Sequence, residues 1–169
     1  DSFYRGSYRS GAVWNQLEAA GVPEVRGVWS HAAGGSRLWL TVSIKQMYAG
    51  HAPQVMALAA QCTAGAYFGK YVIVVDDDVD IRDWKEVIWA VTTRVDPARD
   101  TLIVERTPID YLDFASPASG LGSKMGIDAT NKWPPETRRE WGTRIRMSDE
   151  IVARVSARWA DYGLPGSGK

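Results

Sequence analysis

Apolar residues along this chain change their spacing from segment to segment, and each change marks an element. Val13, Trp14, Leu17 and Ala20 recur at helical spacing after Ser10, a residue suited to the N-cap, and Gly21 and Pro23 stop them. Residues 25–30 read as a strand, and HAAGGS at 31–36 as a turn. Leu38, Leu40, Val42 and Ile44 then alternate with Trp39, Thr41 and Ser43, so the two segments predict an antiparallel hairpin. Pro53 suits the first turn of a helix carrying Val55, Met56, Leu58, Ala59 and Cys62, ended by Gly65 or Gly69. Four apolar β-formers, Val72, Ile73, Val74 and Val75, complete a strand over 71–75 that runs straight into Asp76, Asp77 and Asp78.

Asp83 and Glu86 have capping-box spacing, and Trp84, Val87, Ile88 and Val91 fall on one helical face behind them. Arg94 closes that helix where a cation is favoured, Asp96 and Pro97 turn the chain, and residues 101–105 read as the next strand. Strand, helix and strand at this spacing predict a parallel βαβ unit. From 107 to 143 the periodicity fades among prolines and glycines, as in a functional segment or an arm that contacts something else. A last helix starts near Ser148 with Val152, Val155, Trp159 and Tyr162 on one stripe, and stops at Gly163 before Pro165. An apolar stripe of that kind, left facing solvent, marks an interface. The pattern predicts an α/β single domain: an N-terminal helix and hairpin, a parallel βαβ unit, and an irregular Gly/Pro-rich C-terminal segment ending in a helix. It holds no internal repeat and no domain boundary.

Composition narrows the partners more than the fold. Its 169 residues carry 20 basic and 20 acidic side chains, a balance that favours neither nucleic acid nor an anionic membrane. Cys62 is the only cysteine, which excludes an internal disulfide and fits a reducing, cytoplasmic setting. No apolar run approaches the ~20 residues that span a bilayer. The start, DSFYRGSYRSG, has neither an initiator Met nor an apolar leader and reads as the inside of a longer protein. The tail GLPGSGK is flexible in composition. Eight Trp residues suit either a core or a subunit contact.

A buried strand ending in carboxylates is one way that open α/β sheets build sites. Asp76, Asp78 and Asp80 imitate the opening of a calcium loop, but Ile81 and Val87 stand where that loop needs its Gly and Glu. A strand end, a turn and a helix cap is the favoured reading of these acids. His31 and His51 lie in no metal spacing and near no nucleophile motif. The run SGLGSKMG at 119–126 resembles a phosphate loop, yet its spacing differs from GxxxxGK[ST], so a flexible glycine loop is favoured over an anion contact by Lys124.

From residue 74 to 136 the sequence becomes distinctive. VVDDDVDIRDWKEVIWAVTTRVDPARDT and ERTPIDYLDFASPASGLGSKMGIDATNKWPPE, with IKQMYAGHAPQVM before them and REWG after, closely resemble the C-terminal region of UbiD-like decarboxylases. Within that family they look most like the 4-hydroxy-3-polyprenylbenzoate decarboxylases of ubiquinone biosynthesis.

The resemblance implies reversible, non-oxidative decarboxylation of an aromatic or α,β-unsaturated acid on prenylated FMN, held with Mn²⁺ and K⁺. It places the family's catalytic Arg and Glu residues and its metal ligands upstream, in a flavin-binding domain, so no catalytic or metal residue is expected in this chain. Thr63 stands at the register where some members carry a lysine that contacts the flavin phosphate. The family's C-terminal domain supports homo-oligomerisation and closes the active site. The loop after TLIVE implies a substrate-side contact by Arg106, Thr107, Pro108 and Ile109. Two other readings stay open: an assembly module without catalytic residues, and an independent divalent-cation domain built on Asp76, Asp78 and Asp80.

Overall fold

The structure, a computed structural model, describes residues 2–163 and residue 165, so most of the tail expected to be flexible lies outside the described residues. The chain divides into two compact units, Asp1–Arg139 and Glu140–Lys169. The sequence had shown no boundary between them.

The first unit is a five-stranded mixed sheet between helices. Helix α1 (Ser2–Ala19) leads into β1 (Val25–Ser30), which pairs antiparallel with β2 (Trp39–Ile44), the expected hairpin. Helix α2 (His51–Gln61) crosses over to β3 (Tyr71–Asp76), which lies parallel to β2. The parallel βαβ unit is therefore β2–α2–β3. The sequence had placed it one step later, with residues 101–105 beside β3.

After α3 (Trp84–Arg94), the strand β4 (Thr101–Pro108) instead takes the edge of the sheet, and β5 (Leu121–Ala129) inserts between it and β3. Strand β5 runs parallel to β3 and antiparallel to β4. The reason lies in the side chains. β4 leaves Ile103, Glu105, Arg106 and Pro108 exposed, as an edge strand tolerates, whereas Gly122, Lys124, Gly126 and Asp128 of β5 are buried. A Cβ at Gly126 would sit 3.0 Å from Met56 Cβ and Sδ, so α2 rests directly on this strand.

Strand β3 is buried on both faces, as central parallel strands are. Val72 and Val74 join Val13, Leu17, Val42, Ile44 and Val55 beneath α1 and α2. Ile73 and Val75 join Val79, Val87, Ala90 and Ala129 beneath α3. Each fully buried Val or Ile contributes about 1.5–3 kcal/mol of transfer free energy, so this strand anchors the unit.

Helix α1 begins eight residues before Ser10, the residue expected to cap it. Inside the helix the Ser10 hydroxyl donates to the Gly6 carbonyl at 2.7 Å and accepts the Ser30 N–H at 3.0 Å. Gly6 allows that approach, because a Cβ there would meet the Ser30 carbonyl oxygen at 3.2 Å.

The second unit contains α4 (Asp149–Ala157), capped by the Ser148 hydroxyl as expected, and a 3-10 turn at Trp159–Tyr162 ended by Gly163 at φ 63°. The break at Arg158 interrupts the expected stripe. Ile151, Val152, Val155 and Tyr162 are exposed.

Candidate functional site

At the C-terminal end of β3 the acidic run is already engaged. Asp76 is buried, and its Oδ1 accepts from Gln46 Nε2 at 2.8 Å while its Oδ2 accepts the Asn131 N–H at 2.6 Å. Burial raises the Asp76 pKa, and the bonds from Asn131 and Gln46 and the Arg94 charge oppose that rise. Arg94, itself buried, donates to Asp76 Oδ2 at 3.3 Å and grips Asp78 with both terminal nitrogens, at 3.1 and 2.8 Å. Asp80 Oδ1 accepts the Arg82 N–H at 2.9 Å, and Asp83 Oδ1 accepts the Lys85 N–H at 2.8 Å as the N-cap of α3. Glu86 accepts the Asp80 N–H at 2.9 Å, three residues earlier than a capping box requires, and the Asp83 N–H donates to the Asp80 carbonyl at 3.1 Å. The helix-end cation expected of Arg94 is thus the partner of the strand-end acids.

Neither histidine heads a site. His51 opens α2 fully buried, with Nδ1 accepting the Met47 N–H at 3.3 Å and its ring stacked on Tyr48. His31 meets the edge of Trp84 at 5.1 Å between centroids, and burial lowers the pKa of both imidazoles. Among the described residues, no group of three or more His, Cys, Asp or Glu is placed to hold a metal ion.

The glycine run that resembled a phosphate loop is mostly β5, and Lys124 is buried in it. Its ammonium donates to the carbonyls of Ala60, Gly65 and Ala66, each at 2.7 Å. Desolvation lowers its pKa to about 8, against the raising influence of Cys62. Thr63 lies exposed in the turn that this lysine holds.

The four residues implied on the substrate side fall at the end of β4, in and just after a bulge. The β4–β5 register shifts between Val104 and Thr107, and Arg106 adopts φ 53°, a left-handed conformation uncommon outside glycine. Arg106 and Pro108 are exposed. Thr107 is buried with its hydroxyl on Gln61 Oε1 at 3.1 Å, and Ile109 is fully buried.

Directly after Ile109 the chain enters a cleft of about 410 Å³. Its polar lining is Arg5, Arg9, Arg37 and Asp110, and its apolar walls are Tyr67, Phe68, Tyr111 and Leu112. Arg37, residues 67–68 and residues 110–112 precede β2, β3 and β5 respectively, so the cleft lies at the N-terminal edge of the parallel strands. Arg37 Nη1 donates to Asp110 Oδ2 at 2.9 Å, and Asp110 Oδ1 accepts the Leu112 N–H at 2.9 Å. Arg9 Nη1 donates to the Ser36 carbonyl at 3.0 Å, and its guanidinium lies 3.8 Å over the Phe68 ring. Desolvation lowers the Arg9 pKa, and Arg37 and Arg5 add like-charge repulsion that Asp110 partly offsets.

Sequence reasoning missed these arginines because it began α1 at Ser10. The available signal was Arg5 and Arg9 at i, i+4, one helical face beside Gly6.

With this geometry in place, comparison identifies the relatives. Residues 3–129 match the model of the 3-octaprenyl-4-hydroxybenzoate carboxy-lyase C-terminal domain, UbiD_C. The vanillic acid decarboxylase of Sedimentibacter hydroxybenzoicus in its open form is similar over 95% of this chain and 33% of its own, at 30% identity and TM-score 0.78. A closed form of that enzyme is similar at the same TM-score of 0.78. The UbiD-class enzyme HmfF of Pelotomaculum thermopropionicum, in complex with FMN, is 33% identical over 91% of this chain and 32% of its own, at TM-score 0.72. An evolved dimeric form of HmfF is described in complex with prFMN. The 3,4-dihydroxybenzoic acid decarboxylase of Klebsiella pneumoniae is 25% identical over 90% of this chain and 33% of its own, at TM-score 0.74. The chain thus spans about a third of the length of the solved relatives it matches. It belongs to the family of UbiD carboxy-lyase C-terminal domains.

Proposed function

We propose that this chain works as the C-terminal domain of a carboxy-lyase that reversibly decarboxylates an aromatic or α,β-unsaturated acid with prenylated FMN. The observation that carries the reading is the family match over residues 3–129, joined to a fold shared with two decarboxylases and a UbiD-class enzyme across most of this chain. Asp76 and Asp78 are committed to Arg94, and the described residues supply no metal-ligating cluster. On the family resemblance, prenylated FMN, Mn²⁺ and K⁺ are assigned to an upstream flavin-binding domain, and this chain is assigned no catalytic residue.

What this domain adds is a wall and a movement. The open and closed forms of the vanillic acid enzyme support a role in closing the site. Of the four residues after TLIVE, Arg106 and Pro108 have the exposure to meet a substrate, while Thr107 and Ile109 fix their backbone. Homo-oligomerisation is a second role, supported by the exposed apolar residues of α4. A cytoplasmic setting agrees with the half-buried free thiol of Cys62. No helix among the described residues is long and apolar enough to cross a membrane.

The test is turnover. This chain alone is expected to release no CO₂ from an aromatic or enoic acid, and the same chain joined to its flavin domain and loaded with prenylated FMN is expected to release it. Turnover by the flavin-free chain would overturn the reading.

A further inference from the structure

The turn at residues 62–69 is held from below rather than packed from within. Of its residues only Gly65 and Gly69 are buried, so no side chain of the turn is sunk in the core. Segments with so few buried contacts open locally unless polar ties hold them. Here such ties are present on several sides. Gln16 Oε1 on α1 accepts the Ala64 N–H at 3.0 Å, and the Arg37 carbonyl accepts the Gly69 N–H at 2.6 Å. From β5, the Lys124 ammonium donates to the carbonyls of Ala60, Gly65 and Ala66, each at 2.7 Å.

Those three carbonyls match the three N–H donors of an ammonium group. Ala60 belongs to the last turn of α2, where carbonyls lack a partner within the helix, and Gly65 and Ala66 fold back towards it. Gly65 permits that return, because a Cβ there would collide with the Ala59 carbonyl oxygen. The result is a small pocket of inward-facing acceptors, which only a donor can fill without leaving buried oxygens unpaired. Lys124 is buried to the tip to supply it, and a lysine is almost never placed so without such partners.

We propose that these carbonyls form a primary-amine site that the chain fills with its own Lys124, and that its occupancy sets whether the 62–69 turn stands closed. What the turn shapes is the cleft. Tyr67 and Phe68 are two of its apolar walls, and the Phe68 ring lies 3.8 Å beneath the Arg9 guanidinium. With an amine in the pocket, the turn holds that ring under Arg9. Without one, the turn opens and the wall is lost. Lys124 is therefore a positioning residue for the cleft, acting through Phe68 from the far side of the turn. This holds whatever the cleft binds and does not rest on the carboxy-lyase reading.

Hydrogen exchange and side-chain NMR on this chain test it. In Lys124→Ala the amides of 62–69 should lose at least about tenfold in protection while those of β3 stay slow. The Arg9 side-chain N–H resonances, displaced by the Phe68 ring, should move towards their position in Phe68→Leu. Added methylamine should restore both readings in Lys124→Ala, saturably. Tetramethylammonium, which has no N–H to donate, should restore neither, and Lys124→Met, whose side chain fills the space, should not respond to methylamine. Native protection of the turn in Lys124→Ala, no restoration by methylamine, or equal restoration by tetramethylammonium overturns the proposal. Should Lys124→Ala not fold, the native chain decides. Exchange of the 62–69 amides should then be insensitive to low urea while exchange of β3 accelerates, as local opening requires, and equal urea dependence overturns the gate.

Discussion

Lys124 shows how much a single residue can hold that its neighbours in sequence do not announce. Among glycines it read as a loop residue, yet its ammonium ties the carbonyls of Ala60, Gly65 and Ala66, which close the turn after α2. Replacement by Met would leave three buried acceptors without a donor and should cost about 2–4 kcal/mol in urea unfolding. The pH dependence has a definite sign. Its folded pKa of about 8 lies below the ordinary 10.5, so between those values the unfolded chain binds more protons and this residue's contribution to stability rises with pH. The gap in unfolding free energy between the native chain and Lys124→Met should therefore widen from about pH 7 to about pH 10. A constant or narrowing gap would contradict the assignment. Arg94 teaches the same lesson. The acids at 76–83 were legible as a strand end and a cap, but their buried cation lies 16 and 18 residues from Asp78 and Asp76 and was legible only as a helix-end charge.

Elements were legible where an apolar face exists to be read. The hairpin, β3 and α3 carry such faces, and they stand close to where the periodicity placed them. β5 carries Gly122, Lys124, Gly126 and Asp128 on its buried side, so no hydrophobic alternation marks it, although it is central to the sheet. Its inward positions are set by the approach of α2 to Gly126 and by buried polar pairs, among them Lys132 Nζ on Asp128 Oδ1 at 2.9 Å. The start of α1 was hidden for a related reason: Phe3, Tyr4 and Tyr8 are exposed, so the apolar stripe begins only at Val13. The α3 N-cap, by contrast, was readable from the spacing of Asp83 and Glu86, and Asp83 does cap the helix. Asp83→Ala should lower stability by about 1 kcal/mol and Asp83→Asn by less, measured by thermal unfolding, since Asn retains an oxygen for the Lys85 N–H. Equal losses would mean that the carboxylate charge, not the cap bond, matters there.

For the whole unit, the two ends of the parallel strands do different work. The C-terminal end, where open α/β sheets commonly hold ligands, is closed by Arg94, Gln46 and the Asn131 N–H around Asp76. The N-terminal edge keeps an open, arginine-lined cleft next to the loop that the family resemblance marked as substrate-facing. In the function proposed above, this domain supplies one wall of a site whose chemistry is completed elsewhere; the relatives it matches are about three times as long. The most direct test of that proposal deletes residues 1–169 from a longer protein that carries them after a flavin-binding domain, then measures bound prenylated FMN and CO₂ release from an aromatic acid. The expected result is a flavin domain that retains its cofactor but releases no CO₂, with release restored when the deleted residues are returned. Undiminished CO₂ release without them would contradict the claim that this chain forms part of the working site.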